Sequence, residues 1–238
     1  MKRLLRNLLL AAATAFCCDQ EQSFGASFYV DFHDTVPSSA FAGAAPQGGF
    51  WNAKTFNSGT ISLNNTQGVP TTVTLTHTPV VSDELGQSYP DPGTTGDVER
   101  LLDDIFGTLD TEMVFTYAGL DAGIYRVITY ARHPNPITAG SNPVITSVTV
   151  NDSVPQLVSR TFAAPNFGPS GLGNTFADQY AVVAPGGSLV VKAVGAVGSN
   201  NGMAVVNGIQ VLFVPEPTTL SSLCAVATLV LVSRRRQN

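Results

Sequence analysis

Short runs in which apolar and polar residues alternate, separated by Gly, Pro and Asn, recur along most of this 238-residue chain and are what most constrains its fold. A period of two is the signature of strands with one face buried, and such runs are too short and too regular to be read as amphipathic helices. Residues 72–77 alternate cleanly, placing Val73 and Leu75 on the inward face. Residues 27–32 open the series. Residues 112–117 lead through a glycine-containing turn at 118–123 into 124–130, which predicts two antiparallel strands, the second apolar on both faces and therefore central. Further strands are expected at 144–150, 156–162, 179–183, 188–194 and 203–213, the last kinked at Asn207 and Gly208. Pro185, Gly186 and Gly187 read as a tight turn between two of them.

The pattern changes only between Val80 and Asp110. Residues 97–106 predict one short helix with Val98, Leu101, Leu102 and Ile105 on one side. About nine or ten short strands and so little helix predict an all-β sandwich in which two packed sheets share one core. Composition agrees, with only 12% charged residues against 22 Gly and 15 Pro. No internal repeat is present. The three cysteines, Cys17, Cys18 and Cys224, all lie in apolar end segments, so neither disulfides nor a cysteine metal cluster holds the body together.

The two ends differ from the body. Lys2, Arg3 and Arg6 precede a short apolar run, 8–16, the layout of a secretory signal peptide, whose expected helix is too short to span a bilayer core that needs ~20 residues. At the other end Pro215, Glu216 and Pro217 are followed by 15 mostly small and apolar residues, 218–232, and then by Arg234, Arg235 and Arg236. A helix over that stretch is also short of the ~20 residues of a permanent span. The arginines would remain on the cytoplasmic side, leaving the body outside. The two prolines favour an extended backbone, the form in which a protease or transpeptidase grips a peptide.

This order of motif, apolar stretch and arginines resembles the PEP-CTERM sorting domain, which is read by exosortases, membrane cysteine transpeptidases of Gram-negative bacteria. The resemblance covers residues 214–238. It implies that Pro215, Glu216 and Pro217 are the recognition motif, that the arginines are the stop signal, and that the protein is exported to the cell surface or extracellular space after transient anchoring in the inner membrane. The domain reading is a signal peptide over 1–26, a β-sandwich over 27–213 and a sorting segment over 214–238. The order of landmarks in the body (Phe50, Trp51 and Asn52, the phrase 119–125, the strand ending at Asn151 and the strand 206–211) resembles galactose-binding-like jelly rolls such as carbohydrate-binding modules. That resemblance implies a fold rather than a ligand.

Between 27 and 213 stand six basic and 14 acidic side chains. An acidic body without a basic cluster excludes nucleic-acid binding. His33, His77 and His133 show no metal-ligand spacing, and no Gly-x-Ser-x-Gly elbow occurs, so no catalytic set is expected. Trp51 is the one tryptophan. It is expected in the core, where its indole N–H finds a partner; exposed, it would stack on a sugar with Asn52 or Asn64 donating hydrogen bonds. Asp31, Asp34, Asp103 and Asp104, with Asp97 and Asp178, are candidate ligands for a structural calcium, since that ion prefers carboxylate and carbonyl oxygens. No other cofactor is expected.

The expected function is that of a non-enzymatic surface or extracellular-matrix protein, handled by the secretion machinery and an exosortase, whose sandwich binds polysaccharide or is structural. The alternative is a secreted hydrolase of polysaccharides or esters using the acids of 97–104.

Overall fold

The alternation at 72–77 becomes β4 (Pro70–Thr78), in which Val73, Leu75 and His77 are buried and the threonines between them face outward. The structure, a computed structural model, describes residues 25–33, 35–55, 59–78, 85–88, 94–134, 143–159 and 164–215. The expected signal helix and C-terminal apolar helix lie outside the described residues. Gly25–Val214 forms one compact unit. No helix among the described residues is long and apolar enough to cross a membrane.

Fourteen strands, one short α-helix and two single-turn 3-10 helices, Pro169–Gly171 and Asn200–Gly202, are the regular elements of the described part. The first sheet has the order β11 (Phe176–Val183), β8 (Gly123–Tyr130), β14 (Gly208–Val214), β1 (Phe28–Asp31), β2 (Trp51–Ala53). The second runs β10 (Gln156–Ser159), β9 (Ile145–Val150), β12 (Ser188–Gly195), β7 (Met113–Ala118), β4, β3 (Ile61–Asn64). A third, small sheet joins β13 (Met203–Val206), β6 (Asp104–Leu109) and β5 (Leu85–Ser88). All pairings are antiparallel except β1 with β2.

The core lies between the two large sheets. Phe28 and Val30 of β1, Val127 of β8 and Val211 of β14 meet Phe115 of β7 and Val191 of β12 from the other side, all of them buried. At ~1.5–3 kcal/mol for each large apolar side chain removed from water, this layer is the main stabilising element of the fold. A second cluster covers part of the outer face of the first sheet, where Tyr29, Trp51, Ile128 and Tyr130 lie beneath residues of the loop over 36–45 and of the helix.

Several expectations are corrected. β7 and β8 do not form a hairpin: β7 pairs with β4 and β12, β8 with β11 and β14, and the turn between them carries the chain from one sheet to the other. β8 is interior to its sheet, as its two apolar faces require. The helix α1 (Asp97–Leu102) is shorter than 97–106, because Asp103 closes it and Ile105 and Phe106 enter β6. The run 203–213 divides at Asn207 into strands of different sheets. Pro185 and Gly186 form the corner between β11 and β12, where the Gly187 N–H donates to the Ala184 carbonyl at 2.8 Å. Gly186 takes φ 71°, a conformation that disfavours side chains.

Carboxamide side chains stand in for missing strand partners at both open sides of the sandwich. On one side Asn52 of β2 donates to the Asn64 carbonyl of β3 at 2.8 Å and accepts from the Asn64 N–H at 2.8 Å, and it also donates to the Tyr29 carbonyl at 3.0 Å. On the other, Gln156 of β10 donates to the Asp178 carbonyl and accepts from the Asp178 N–H of β11, both at 2.8 Å. Thr146 ties β9 to β13 in the same manner, its hydroxyl accepting from the Val205 N–H at 3.0 Å and donating to the Val205 carbonyl at 3.2 Å.

Asn52→Ala leaves three polar backbone groups at a buried position without their partner and is expected to destabilise the protein by about 2–3 kcal/mol, against about 1 kcal/mol for the half-buried Gln156→Ala. Urea unfolding monitored by tryptophan fluorescence measures both. A loss of under about 0.5 kcal/mol for Asn52→Ala, the range of an ordinary surface change, would refute the bridging role.

Candidate functional site

Ionisable side chains collect in the interior at the end of the sandwich where β1, β2 and β8 finish. Asp31 is the last residue of β1, Lys54 follows β2, His77 lies near the end of β4, Asp103 closes α1 and Arg132 follows β8; each is at most 5% exposed. Buried ionisable groups are expensive unless paired and hydrogen-bonded, so five at one end of a domain with few charges mark it as the candidate site.

Backbone geometry converges there. The Lys54 N–H donates to the Asp31 carbonyl at 2.9 Å, and its ammonium donates to the Gly59 carbonyl at 2.8 Å. The Thr94 hydroxyl donates to the Asp103 carboxylate at 2.9 Å. Arg132 donates through Nη1 to the Asn174 side chain at 3.3 Å.

Asn207, fully buried between β13 and β14, organises the centre. Its N–H donates to the Tyr130 carbonyl at 2.8 Å and its carbonyl accepts from the Phe32 N–H at 3.0 Å. Its side chain accepts from the Arg132 N–H at 2.8 Å and donates to the Leu102 carbonyl at 3.1 Å. One asparagine thus links β8, β14, the end of β1 and α1. Gly208, next in sequence, lets β14 pass close to β1, since a Cβ there would stand 2.8 Å from the Val30 carbonyl oxygen.

His77 borders this end on the core side. Its ring packs edge-on against Phe106 at 4.6 Å and tilted against Phe115 at 6.5 Å. Burial, and secondarily the Lys54 charge, lower its pKa from 6.5 to about 4. The ring is therefore neutral at physiological pH.

The candidates named from sequence separate into different roles. Trp51 is 2% exposed, its ring 5.2 Å from Tyr29 and 6.1 Å from Phe41, and its Nε1–H donates to the Phe41 carbonyl at 3.3 Å. A ring enclosed in this way cannot stack on a sugar, which corrects the glycan-platform alternative for Trp51. Asn52 and Asn64 are brought together, but Asn52 uses its carboxamide on backbone groups, so the pair joins strands instead of offering hydrogen bonds to a ligand. Asp31 and Asp103 both reach the polar end. Asp34 and the Asp104 side chain lie outside the described residues. Asp97 is held by the N–H and hydroxyl of Ser38 at 2.9 and 2.6 Å, with Arg100 beside it, and these contacts keep its carboxyl below the usual range. Asp178 is held by a two-pronged contact from Arg126 at 2.9 and 2.8 Å. Among the described residues no three His, Cys, Asp or Glu side chains group as a metal site would require. Of the sorting motif, Pro215 is described and exposed; Glu216, Pro217, Arg234, Arg235 and Arg236 lie outside the described residues.

Lys54, Arg132 and Asn207 had no functional signal in the sequence. His77 was expected to carry no role, since it shows no metal-ligand spacing with His33 or His133.

No family model matches the chain, and no curated protein matches it. Among solved structures it is similar to a family GH115 4-O-methyl-α-glucuronidase with specificity for decorated arabinogalactans, at 10% identity and TM-score 0.34 over 55% of this chain and 16% of that one. It is also similar to the ANXUR2 extracellular domain of Arabidopsis thaliana, at 13% identity and TM-score 0.40 over 80% of this chain and 42% of that one. A complex of the plant peptide RALF23 with FER and LLG2 contains a chain 18% identical, at TM-score 0.41 over 82% of this chain and 42% of that one. The chain spans less than half the length of each of these structures.

With a folded pKa near 4 against 6.5 in the unfolded chain, His77 binds fewer protons folded than unfolded between those values, so its contribution makes stability rise with pH across that window and level off above it. The expected slope is about 1.4 kcal/mol per pH unit. His77→Gln should flatten the profile between pH 4 and 6.5 whatever its effect on absolute stability. Denaturation midpoints measured across that window provide the check, and an unchanged slope in the variant would assign the pH response elsewhere.

Proposed function

We propose that this chain is an exported surface or extracellular-matrix component: a non-catalytic jelly-roll sandwich of the galactose-binding-like kind, addressed by a tail that an exosortase reads. The observation that carries the reading is the junction at Val214. The last strand of the compact unit ends there, Pro215 follows it exposed, and the sequence continues through Glu216, Pro217, the apolar stretch 218–232 and three arginines. A recognition peptide that starts one residue beyond a folded strand is accessible without unfolding the body.

The jelly-roll reading is supported by the way the chain crosses from one large sheet to the other between β7 and β8, β10 and β11, and β11 and β12. A non-catalytic role is supported by the engagement of Asp97 with Ser38, Asp103 with Thr94 and Asp178 with Arg126, each carboxylate already serving the fold. The body binds carbohydrate or matrix polymer, or serves as a structural unit, and its polar end lies at the strand ends opposite those at Gly25 and Val214.

The test is the triple variant Pro215→Ala, Glu216→Ala, Pro217→Ala in the full-length chain, produced in a Gram-negative host that carries an exosortase. It is expected to remain in the membrane fraction at uncleaved mass while the parent chain is processed and exported. Equal processing of the two would overturn the reading.

A further inference from the structure

Phe50, Val69, Tyr180 and Val182, four of the exposed large apolar side chains among the described residues, lie at the end of the sandwich from which the chain departs. β1 begins and β14 finishes there, with the Phe213 N–H donating to the Ser27 hydroxyl at 3.0 Å. On the outer face of the first sheet Val182 of β11 is in register with Ile124 of β8, and Ile124 with Val214 of β14. In the row behind, Tyr180 is in register with Arg126, and Arg126 with Leu212. Val182 is 72% and Tyr180 60% exposed. The second cluster, which covers the face further along, does not reach them. Across the same end Phe50 and Val69, 38% and 54% exposed, flank the turn between β3 and β4, where the Thr66 N–H donates to the Ser27 carbonyl at 3.0 Å.

The length of the link beyond Val214 identifies what covers this end. Only Pro215, Glu216 and Pro217 separate Val214 from the apolar stretch that begins at Thr218. Even fully extended, three residues span about 10–11 Å. A headgroup layer is itself about 6 Å thick on each side of the hydrocarbon. With the stretch in a membrane, Val214 therefore sits at most a few ångströms above the headgroups, and the Val182, Ile124 and Tyr180 patch beside it comes within reach of lipid. Tyrosine with flanking apolar side chains suits that interface.

We propose that this end of the sandwich, centred on Tyr180 and Val182, rests on the lipid surface while the tail is in the membrane, and thereby holds Pro215, Glu216 and Pro217 at the interface. The inference rests on reading the tail as membrane-inserted. The attraction is apolar: Arg126, the cation of the patch, is engaged by Asp178, and the turns at this end carry Asp121 and Asp152. Zwitterionic lipid is accordingly sufficient, and added salt does not release the contact.

The experiment uses the full-length chain in phosphatidylcholine vesicles containing a nitroxide-labelled phosphatidylcholine, which quenches a bimane fluorophore on contact. Three single-cysteine forms are compared, one keeping native Cys224 inside the apolar stretch, one with V182C and one with V197C, the other cysteines replaced by serine. Val197 lies in a loop beyond the far end of β12 and is fully exposed, and Val182 is 72% exposed, so both accept the label without disturbing the core. Bimane at 182 is expected to be quenched at least about threefold more than bimane at 197, the contrast a depth-dependent contact quencher gives between an interfacial site and a solvated one. Strong quenching at 224 with equal, weak quenching at 182 and 197 would overturn the lipid contact while leaving the tail reading intact. Absence of quenching at 224 would overturn both.

Discussion

Two carboxamides hold the sides of this molecule together. A sandwich of open sheets has four edges, and the unpaired N–H and C=O groups along them are satisfied by water, by another chain or by something within the fold. Here Asn52 and Gln156 each offer one donor and one acceptor to a single residue of the facing sheet's edge strand. The two sheets are joined as a strand would join them, without the curvature that barrel closure demands. Packing of the core between the sheets then has a fixed spacing to fill, and the buried rows of β1, β7, β8 and β12 interlock within it.

Side-chain hydrogen bonds to backbone also explain how a third sheet is accommodated. β13 and β14 are consecutive but belong to different sheets, so the backbone must leave one ladder and enter another at a buried position. Asn207 makes this possible by satisfying both its own peptide groups and those of Phe32, Leu102, Tyr130 and Arg132. Thr146 performs the corresponding task between β9 and β13. These are buried polar networks whose members are mutually oriented, and such networks give a fold one arrangement at the expense of some stability. The polar end grows out of this solution: Asp31, Lys54, Asp103 and Arg132 cluster around the strand ends that Asn207 connects.

Strand positions were legible because alternation is a local property. β4, β8, β9 and β12 fall where the pattern puts them, and the Pro185–Gly186 corner falls where its turn chemistry requires. Pairing was not legible. Whether β7 turns back on β8 or crosses to the opposite sheet depends on which faces find apolar partners at long range, and the glycine-containing connection is compatible with both. The helix was overextended for a related reason: Ile105 continues its apolar side, yet burial of Ile105 and Phe106 in β6, paired with β13, outweighs one further helical turn. In the site, Trp51 is buried with its indole N–H partnered, as expected for a large aromatic side chain, but that the loop over 36–45 supplies the cover and the acceptor followed only from the fold. Lys54 and Arg132 sit among ordinary turn residues, and burial of a cation at a strand end follows from topology alone.

The molecule has two unlike ends, and the strand directions dictate which is which. Because β1 begins and β14 finishes side by side, the segments before Gly25 and after Val214 leave from one end, and any device that grips the tail grips the body there. Apolar side chains tolerated at that end, Val182 and Tyr180 among them, would be an aggregation liability on a freely diffusing domain of so few charges. Their exposure is reasonable if a surface covers them during part of the protein's life, and their small number is reasonable if the body is later released into water. The buried charges lie at the opposite end, packed around the strand ends that Asn207 ties together. The two ends thus differ in chemistry: exposed apolar side chains beside the strand termini at Gly25 and Val214, and buried ionisable groups around the strand ends that Asn207 connects.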